Sequence, residues 1–414
     1  MKSTLITNIK SLEGILTLPH SFKKGEAMSI VDTISNAWLL IEGDRIAGFG
    51  PMSSCPERAD HTIDAVGRMV LPAWVDSHTH LVYAESRDHE FLARLQGKSY
   101  EQIANEGGGI LNSALKLGAL TEDELLQSAQ KRLDEVIATG TGAIEIKSGY
   151  GLSLESELKI LRVAKRLKES NKIPIKTTFL GAHAIPTIYK HDRRAYIRIV
   201  TEQMIPAVAK EGLADYCDVF CDKGFFTVEE TAEILEVGYK YGLKPKIHAN
   251  ELANSGGVQV GIAHNAISVD HLEQIEMAEI EALKASNTIP TVLPSVSYFL
   301  GIPYAPARKM IDNGLGIVIA SDYNPGSSPS GNIPFLMSLA CNRMRLLPNE
   351  AFNAVTTNAS YALEMEDELG SITKGKLANL IITDKITGLS HIPYAFGSNP
   401  VYKTFIRGRE HTKS

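Results

Sequence analysis

Met69-Val-Leu-Pro-Ala-Trp-Val-Asp-Ser-His-Thr-His-Leu81 is the stretch that decides how this chain is read. An apolar run ends in two histidines, His78 and His80, two residues apart. Side chains at i and i+2 of a β-strand point to one face, so two imidazoles at a strand end converge on one cation, and the buried run behind them keeps the pair rigid. The bland alternative is a pair of satisfied or solvated histidines in a chain that has 12 of them. The rest of the sequence decides between the two.

Moving outward, seven more short apolar runs end in polar residues. They are Gly142–Ser148, Ile175–His183, Tyr216–Asp222, Pro245–His248, Ala266–His271, Thr288–Pro294 and Gly316–Asp322. Longer helical patterns separate them, such as the one beginning at Thr121, where Thr121 is an N-cap and Glu124 completes a capping box. Eight strands, each followed by a helical pattern, predict an α/β chain folded as a (β/α)8 barrel. A doubly wound open sheet also alternates in this way, but no Gly-x-Gly-x-x-Gly turn follows the first strand. The two ends of the chain differ from the middle. Trp38–Gly50 reads as two strands around a Gly-Asp turn, and Leu377–Asp384 and Pro400–Glu410 as two more. A small β-domain assembled from residues 1–70 plus 366–414 is expected to flank a barrel over 71–365.

Composition sets the remaining bounds. At 414 residues, 44% hydrophobic and 22% charged, the chain buries a large core and is neither disordered nor fibrous. Net charge is −6 with no long basic cluster, so no nucleic-acid partner is expected. No run reaches the roughly 18 apolar residues of a membrane span, and the N-terminus lacks the apolar segment of a signal peptide. The four cysteines, Cys55, Cys217, Cys221 and Cys341, are too few and scattered for a disulfide framework; Cys217 and Cys221 read as same-face packing. A cytoplasmic enzyme acting on a small molecule fits all of this.

The polar strand ends carry the chemistry. In a barrel of this kind all strand C-termini gather on one face, where active sites lie. His78, His80, His183, His248, His271 and Asp322 all fall there. Each histidine alone reads as structural; converging at one mouth, they need a shared partner, and a cation is the natural one. Three imidazoles and a carboxylate make a mononuclear site suited to Zn²⁺ or to Fe. Such an ion acidifies water and polarises a nearby electrophilic carbon, and a carboxylate such as Asp322 can take the proton. The seven histidines elsewhere (His20, His61, His89, His191, His264, His391, His411) read as structural.

With these residues in view, the chain resembles the amidohydrolase superfamily. The match rests on His78-x-His80 after strand one, His248 after strand five, His271 after strand six, Asp322 after strand eight, and the return Gly370–Ile382, where Asn379 stands at a position usually Asp. The resemblance implies a distorted barrel with a β-sandwich built from both termini, and metal ligands His78, His80, His248 and Asp322. Strand four ends Phe220-Cys221-Asp222, without the bridging Lys or Glu of binuclear members, so one Zn²⁺ or Fe³⁺ per subunit is expected. Lys147 reads as a salt-bridge partner.

A narrower resemblance within that superfamily runs through Arg94–Ile103, Gly107–Ile110, Lys147–Leu152, Gly181–Pro186, Lys246–Leu252 and Ser321–Pro329. It departs from the usual pattern at Ala73 and Asn250. It implies hydrolysis of the cyclic amide C–N bond of 4-imidazolone-5-propanoate to N-formimidoyl-L-glutamate, a step of histidine degradation.

By this resemblance Glu251, His271 and Asp322 are catalytic, and Arg87, Tyr150, His183, Glu251, Asn324, Gly326 and Ser327 contact substrate. Arg87 suits a propionate, bound bidentately; its bland alternative is a solvated loop charge. Tyr150 reads otherwise as loop packing, and Glu251 as a surface salt bridge. The turn after Asn324 offers backbone N–H groups to a carboxylate. A homodimer is compatible with the resemblance, although no stripe marks an interface. Two rivals stand beside this reading: a deaminase of a small heterocycle, against which the Arg87 loop and the Asn324–Ser327 turn favour an anionic substrate, and a non-catalytic scaffold, against which every expected ligand is present.

Overall fold

A computed structural model describes residues 2–16, 22–98, 102 and 108–411. His20, Gly107 and most of the stretch 99–103 lie outside the described residues. In chain order the strands are β1 (Ser3–Glu13), β2 (Thr33–Glu42), β3 (Arg45–Pro51), β4 (His61–Asp64), β5 (Met69–Pro72), β6 (Trp74–Asp76), β7 (Thr141–Lys147) and β8 (Ile175–Ala182). They continue with β9 (Tyr216–Cys221), β10 (Lys244–Ala249), β11 (Ser268–His271), β12 (Ile289–Val292), β13 (Val318–Ile319), β14 (Leu380–Thr383), β15 (Val401–Ile406) and β16 (Arg409–Glu410).

Two sheets use all of them. The eight strands β6 to β13 pair in sequence order, every pair parallel. These are the eight apolar runs of the sequence. They are buried on both faces, as a barrel wall requires, which is why they read as continuous and not alternating. The helix over Glu122–Ala138 starts at the expected capping box of Thr121 and Glu124. The second sheet is mixed, in the order β16-β15-β14-β5-β1-β2-β3 with β4 beside β1, and draws on both termini. The predicted hairpin is β2–β3, turning at Gly43 with φ 63°. Strand β1, eleven residues long, carries an irregularity between Ile6 and Ile9, where Asn8 has φ 52°.

The two sheets meet at Ala73 and Asn379. The Ala73 amide donates to the Asn379 carbonyl at 3.0 Å, and Asn379 Nδ2 donates to the Gly142 carbonyl at 2.7 Å. Asn379 Oδ1 also accepts the Arg407 amide at 2.7 Å. An aspartate accepts the last bond but cannot donate the middle one, so asparagine is a working alternative here.

The barrel is distorted at one seam. β6 has three residues and β13 has two, and no regular ladder joins them. Beyond the strand ends the chain closes the gap itself. The Asp322 amide donates to the His78 carbonyl at 2.8 Å, and the His80 amide to the Tyr323 carbonyl at 2.9 Å. Asp76 accepts both the amide (3.0 Å) and the hydroxyl (2.6 Å) of Ser321. The seam therefore holds His78, His80 and Asp322 side by side. No helix among the described residues is long and apolar enough to cross a membrane.

Candidate active site

His78, His80, His183, His248, His271 and Asp322 converge at the C-terminal mouth of the barrel. Ring centroids of His78 and His248 lie 4.5 Å apart, those of His248 and His271 5.2 Å, and His80 stacks on His183 at 5.2 Å with planes 10° apart. Asp322 Oδ1 is 3.4 Å from His78 Nε2 and 3.5 Å from His80 Nε2. Three overlapping groups have ligand atoms within 4.8 Å of one another: His78, His248 and His271; His80, His183 and His248; His78, His80 and Asp322.

The donor set fits a cation. His78 Nε2, His248 Nε2 and Asp322 Oδ1 are buried and have no hydrogen-bond partner within the protein. Buried polar atoms without partners are costly, so atoms aimed at one point mark where a ligand belongs. Burial, with the nearby Lys147 charge, holds His78 well below the usual imidazole range; burial and His183 do the same to His80. Neutral imidazoles are the form that ligates. Burial, then the neighbouring Glu251 charge, pushes the Asp322 carboxyl well up, a penalty that a bound cation removes.

Beneath these rings lies a charged floor that sequence reading missed. His78 Nδ1 is 2.6 Å from Asp270 Oδ2, and His248 Nδ1 is 3.0 Å from Asp218 Oδ2. Lys147 Nζ bonds Asp218 at 2.8 Å and Glu145 at 2.9 Å, and Lys246 bonds the other Glu145 oxygen at 2.5 Å. All five charged groups are fully buried. Against the cost of burial, the Asp218 and Glu145 carboxylates hold the Lys147 ammonium well above its usual range, and His248 and Lys147 hold the Asp218 carboxyl well below its own. The salt-bridge role expected of Lys147 is therefore what the structure has. Carboxylates behind imidazoles fix the ring orientation and raise basicity toward a ligand on the far nitrogen. The sequence does carry a signal: Glu145 and Lys147, and Lys246 and His248, are i and i+2 pairs that share a strand face.

The remaining predicted residues line one cavity of about 550 Å³ with the imidazoles, a volume suited to a small ligand. Arg87 is no solvated loop charge. Its side chain is 10% exposed, and Nη2 bonds Glu90 Oε2 at 2.5 Å while Glu90 Oε1 accepts the Gly109 amide at 2.8 Å. Gly326 lies against this guanidinium, and a Cβ there would come within 2.4 Å of Arg87 Nη1. The turn after Asn324 differs from expectation. The amides of Gly326 and Ser327 both donate to Asn324 Oδ1, at 2.7 and 2.8 Å, so Asn324 shapes the turn and the amides are already taken.

Glu251 is not a surface salt bridge either. Burial, with the Asp222 charge nearby, pushes its carboxyl up to about 8. Glu273, which sequence reading also missed, is raised well above its usual range by burial and by Glu251. Their carboxyl oxygens lie 3.6 and 3.8 Å from His271 Nδ1. Asp222 holds the loop that carries Glu251 by accepting the amides of Leu252 (2.8 Å) and Ala253 (3.1 Å). His271 and Leu272 have left-handed φ of 87° and 70°, at a cost of about 1–2 kcal/mol each. Strain of this kind collects at functional sites. Phe220, Phe225, Ile110, Leu252, Leu300 and Ile302 supply the apolar wall. Among the described residues, none of the histidines read as structural lines this cavity.

Fold and site together define a metal-site hydrolase barrel. The amidohydrolase family profile matches residues 69–410, and the chain belongs to that family. Within it the chain groups with proteins named imidazolonepropionase. It is 52% identical over 406 residues to the one from Christiangramia forsetii and 53% identical over 407 residues to the one from Flavobacterium johnsoniae, covering 98% of this chain and 99% of each relative. A solved triazine hydrolase variant superposes with a TM-score of 0.73 at 15% identity, over 99% of this chain and 94% of that one, a likeness of fold.

Proposed function

We propose that this protein hydrolyses 4-imidazolone-5-propanoate to N-formimidoyl-L-glutamate, using one Zn²⁺ or Fe³⁺ per subunit held by His78, His80, His248 and Asp322. The observation that carries the reading is one cavity with clustered imidazoles and a carboxylate at its floor and the Arg87 guanidinium on its wall. The shared name of the relatives supports the substrate. When bound, the ion supplies Lewis acidity toward water and toward the amide carbonyl.

The chain's own groups do the rest. Arg87, held in orientation by Glu90, pairs with the propionate carboxylate. Tyr150 and His183, on adjoining loops, hydrogen-bond the ring and fix its face toward the floor. Asp322, beside His78 and His80, is placed to accept the proton that attacking water loses. The Glu251 and Glu273 carboxyls, pushed up together beside His271, hold a proton near neutral pH and deliver it to the departing ring nitrogen. Asn324, Gly326 and Ser327 shape the wall beside Arg87.

The division into 1–70 with 366–414 and 71–365 belongs to the same reading, supported by the terminal sheet, although β5 crosses that boundary. So does a cytoplasmic location, supported by four free cysteines.

The test is turnover of imidazolone propionate beside a panel of aminated heterocycles, with product followed by mass spectrometry. Formation of N-formimidoyl-L-glutamate is expected; activity confined to the aminated panel would overturn the reading in favour of a deaminase.

A further inference from the structure

We propose that Glu157 is a positioning residue that clamps the loop over residues 148–152 and through it sets Tyr150, His183 and His80 in the site. The proposal builds on the functional reading above for its kinetic consequences only.

The geometry is specific. Glu157 lies one turn into the helix Leu154–Ser170, seven residues after Tyr150, and its side chain is fully buried. A carboxylate near a helix start ordinarily faces solvent and serves the helix dipole. This one turns inward onto the preceding loop. Oε2 accepts the Gly149 amide at 2.9 Å, and Oε1 accepts the amides of Gly151 at 2.7 Å and Leu152 at 2.8 Å. The Ser148 hydroxyl hydrogen-bonds the same carboxylate, while its oxygen accepts the Leu180 amide at 2.9 Å. Four donors from five consecutive residues thus meet one carboxyl group.

Two carbonyls of the clamped loop touch the site. The Ser148 carbonyl is 2.9 Å from His80 Nδ1, and the Gly149 carbonyl is 3.1 Å from His183 Nδ1. A carbonyl at Nδ1 fixes the tautomer with a free Nε2 on both rings. Tyr150, between the clamped amides, stands edge-on to both rings, with centroids 5.3 Å from His80 and 5.4 Å from His183. The loop takes left-handed backbone states, Gly149 at φ 107°, which glycine tolerates, and Leu152 at φ 52°, which strains a leucine. A Cβ on Gly149 would meet His183 Nδ1 at 2.8 Å, and one on Gly151 would meet the Glu157 backbone nitrogen at 2.5 Å. Both glycines therefore permit the approach that the clamp needs. Without Glu157, three buried amides lose their acceptor and the loop has no reason to keep this shape.

The experiment uses metal-loaded, full-length protein. Glu157→Gln keeps the volume but presents an NH₂ donor to one of the loop amides; Glu157→Asp keeps the charge and shortens the reach by about 1.5 Å, and serves where the first variant does not fold. Amide hydrogen exchange of the loop over residues 148–152, metal content, and kcat and KM for imidazolone propionate are compared with wild type, Tyr150→Phe and the double variant.

The clamp predicts faster exchange confined to that loop and, for proteins compared at equal metal content, a KM raised about tenfold with a smaller change in kcat. It also predicts a double variant no worse than sub-additive, because both changes act through the same loop. Unchanged loop exchange overturns the proposal. So does faster exchange with wild-type kinetics, or strict additivity with Tyr150→Phe. If wild-type protein does not turn over imidazolone propionate, the substrate assignment falls, and the exchange measurement still decides the clamp.

Discussion

Replacing Arg87 with alanine tests the anion-binding side of the cavity most directly. The guanidinium is nearly enclosed, held by Glu90 and packed against Gly326. A charge-assisted hydrogen-bonded pair is worth about 1.5–3 kcal/mol, which converts to a KM raised roughly 10- to 150-fold. A second effect adds to this. Glu90 loses its guanidinium partner while keeping the Gly109 amide, leaving a buried carboxylate beside the space that an anionic substrate must enter. Arg87→Ala therefore sits at the upper end of that range, and Arg87→Ala/Glu90→Gln recovers part of the loss. Arg87→Lys keeps the charge without the planar fork and falls between wild type and alanine. The assay is steady-state kinetics with the propionate substrate and with its uncharged amide analogue. Wild type prefers the carboxylate, and Arg87→Ala loses that preference while kcat changes little. An unchanged KM, or a preference that survives the substitution, removes Arg87 from the site and with it the case for an anionic substrate.

Other expectations follow from the same geometry. His78→Ala should abolish turnover and metal retention while circular dichroism shows a folded barrel; undiminished activity contradicts the ligand assignment. Glu251→Gln should lower kcat by about 10²–10⁴ with little change in KM. The Glu251 carboxyl, raised to about 8, carries its proton below that pH and loses it above, so the wild-type kcat should fall on the alkaline side and the variant should lack that limb. A variant with the same alkaline limb would assign the proton to another group. Asn324→Ala should lower thermal stability by about 1–3 kcal/mol, because two amides and a buried turn lose their acceptor; an unchanged melting temperature would show that the turn does not depend on it.

Much of the site could be read from sequence because barrel geometry places chemistry at one local feature, the end of an apolar run. His78, His80, His183, His248, His271 and Asp322 each satisfy that rule without reference to any other residue. What stayed hidden needs a partner from another strand. Asp218 and Asp270 sit inside apolar runs, and only the closed barrel shows that they back His248 and His78. Glu157 and Asp222 read as ordinary carboxylates, since nothing local says that a side chain folds back to gather amides. The Asn324 turn is hidden for the same reason: its amides look free in the sequence, and only the fold shows that the Asn324 side chain takes them.

The closure between β6 and β13 has a consequence for how the protein is made. A ribosome releases His78 and His80 early and Asp322 near the end of synthesis, and both flanks of the terminal sheet must also wait for the last strands. The nascent chain therefore carries an open, unsatisfied barrel edge until it is nearly complete. A cation held by His78, His80 and Asp322 would span that final join, so truncated chains that lack Asp322 would lack one side of the site.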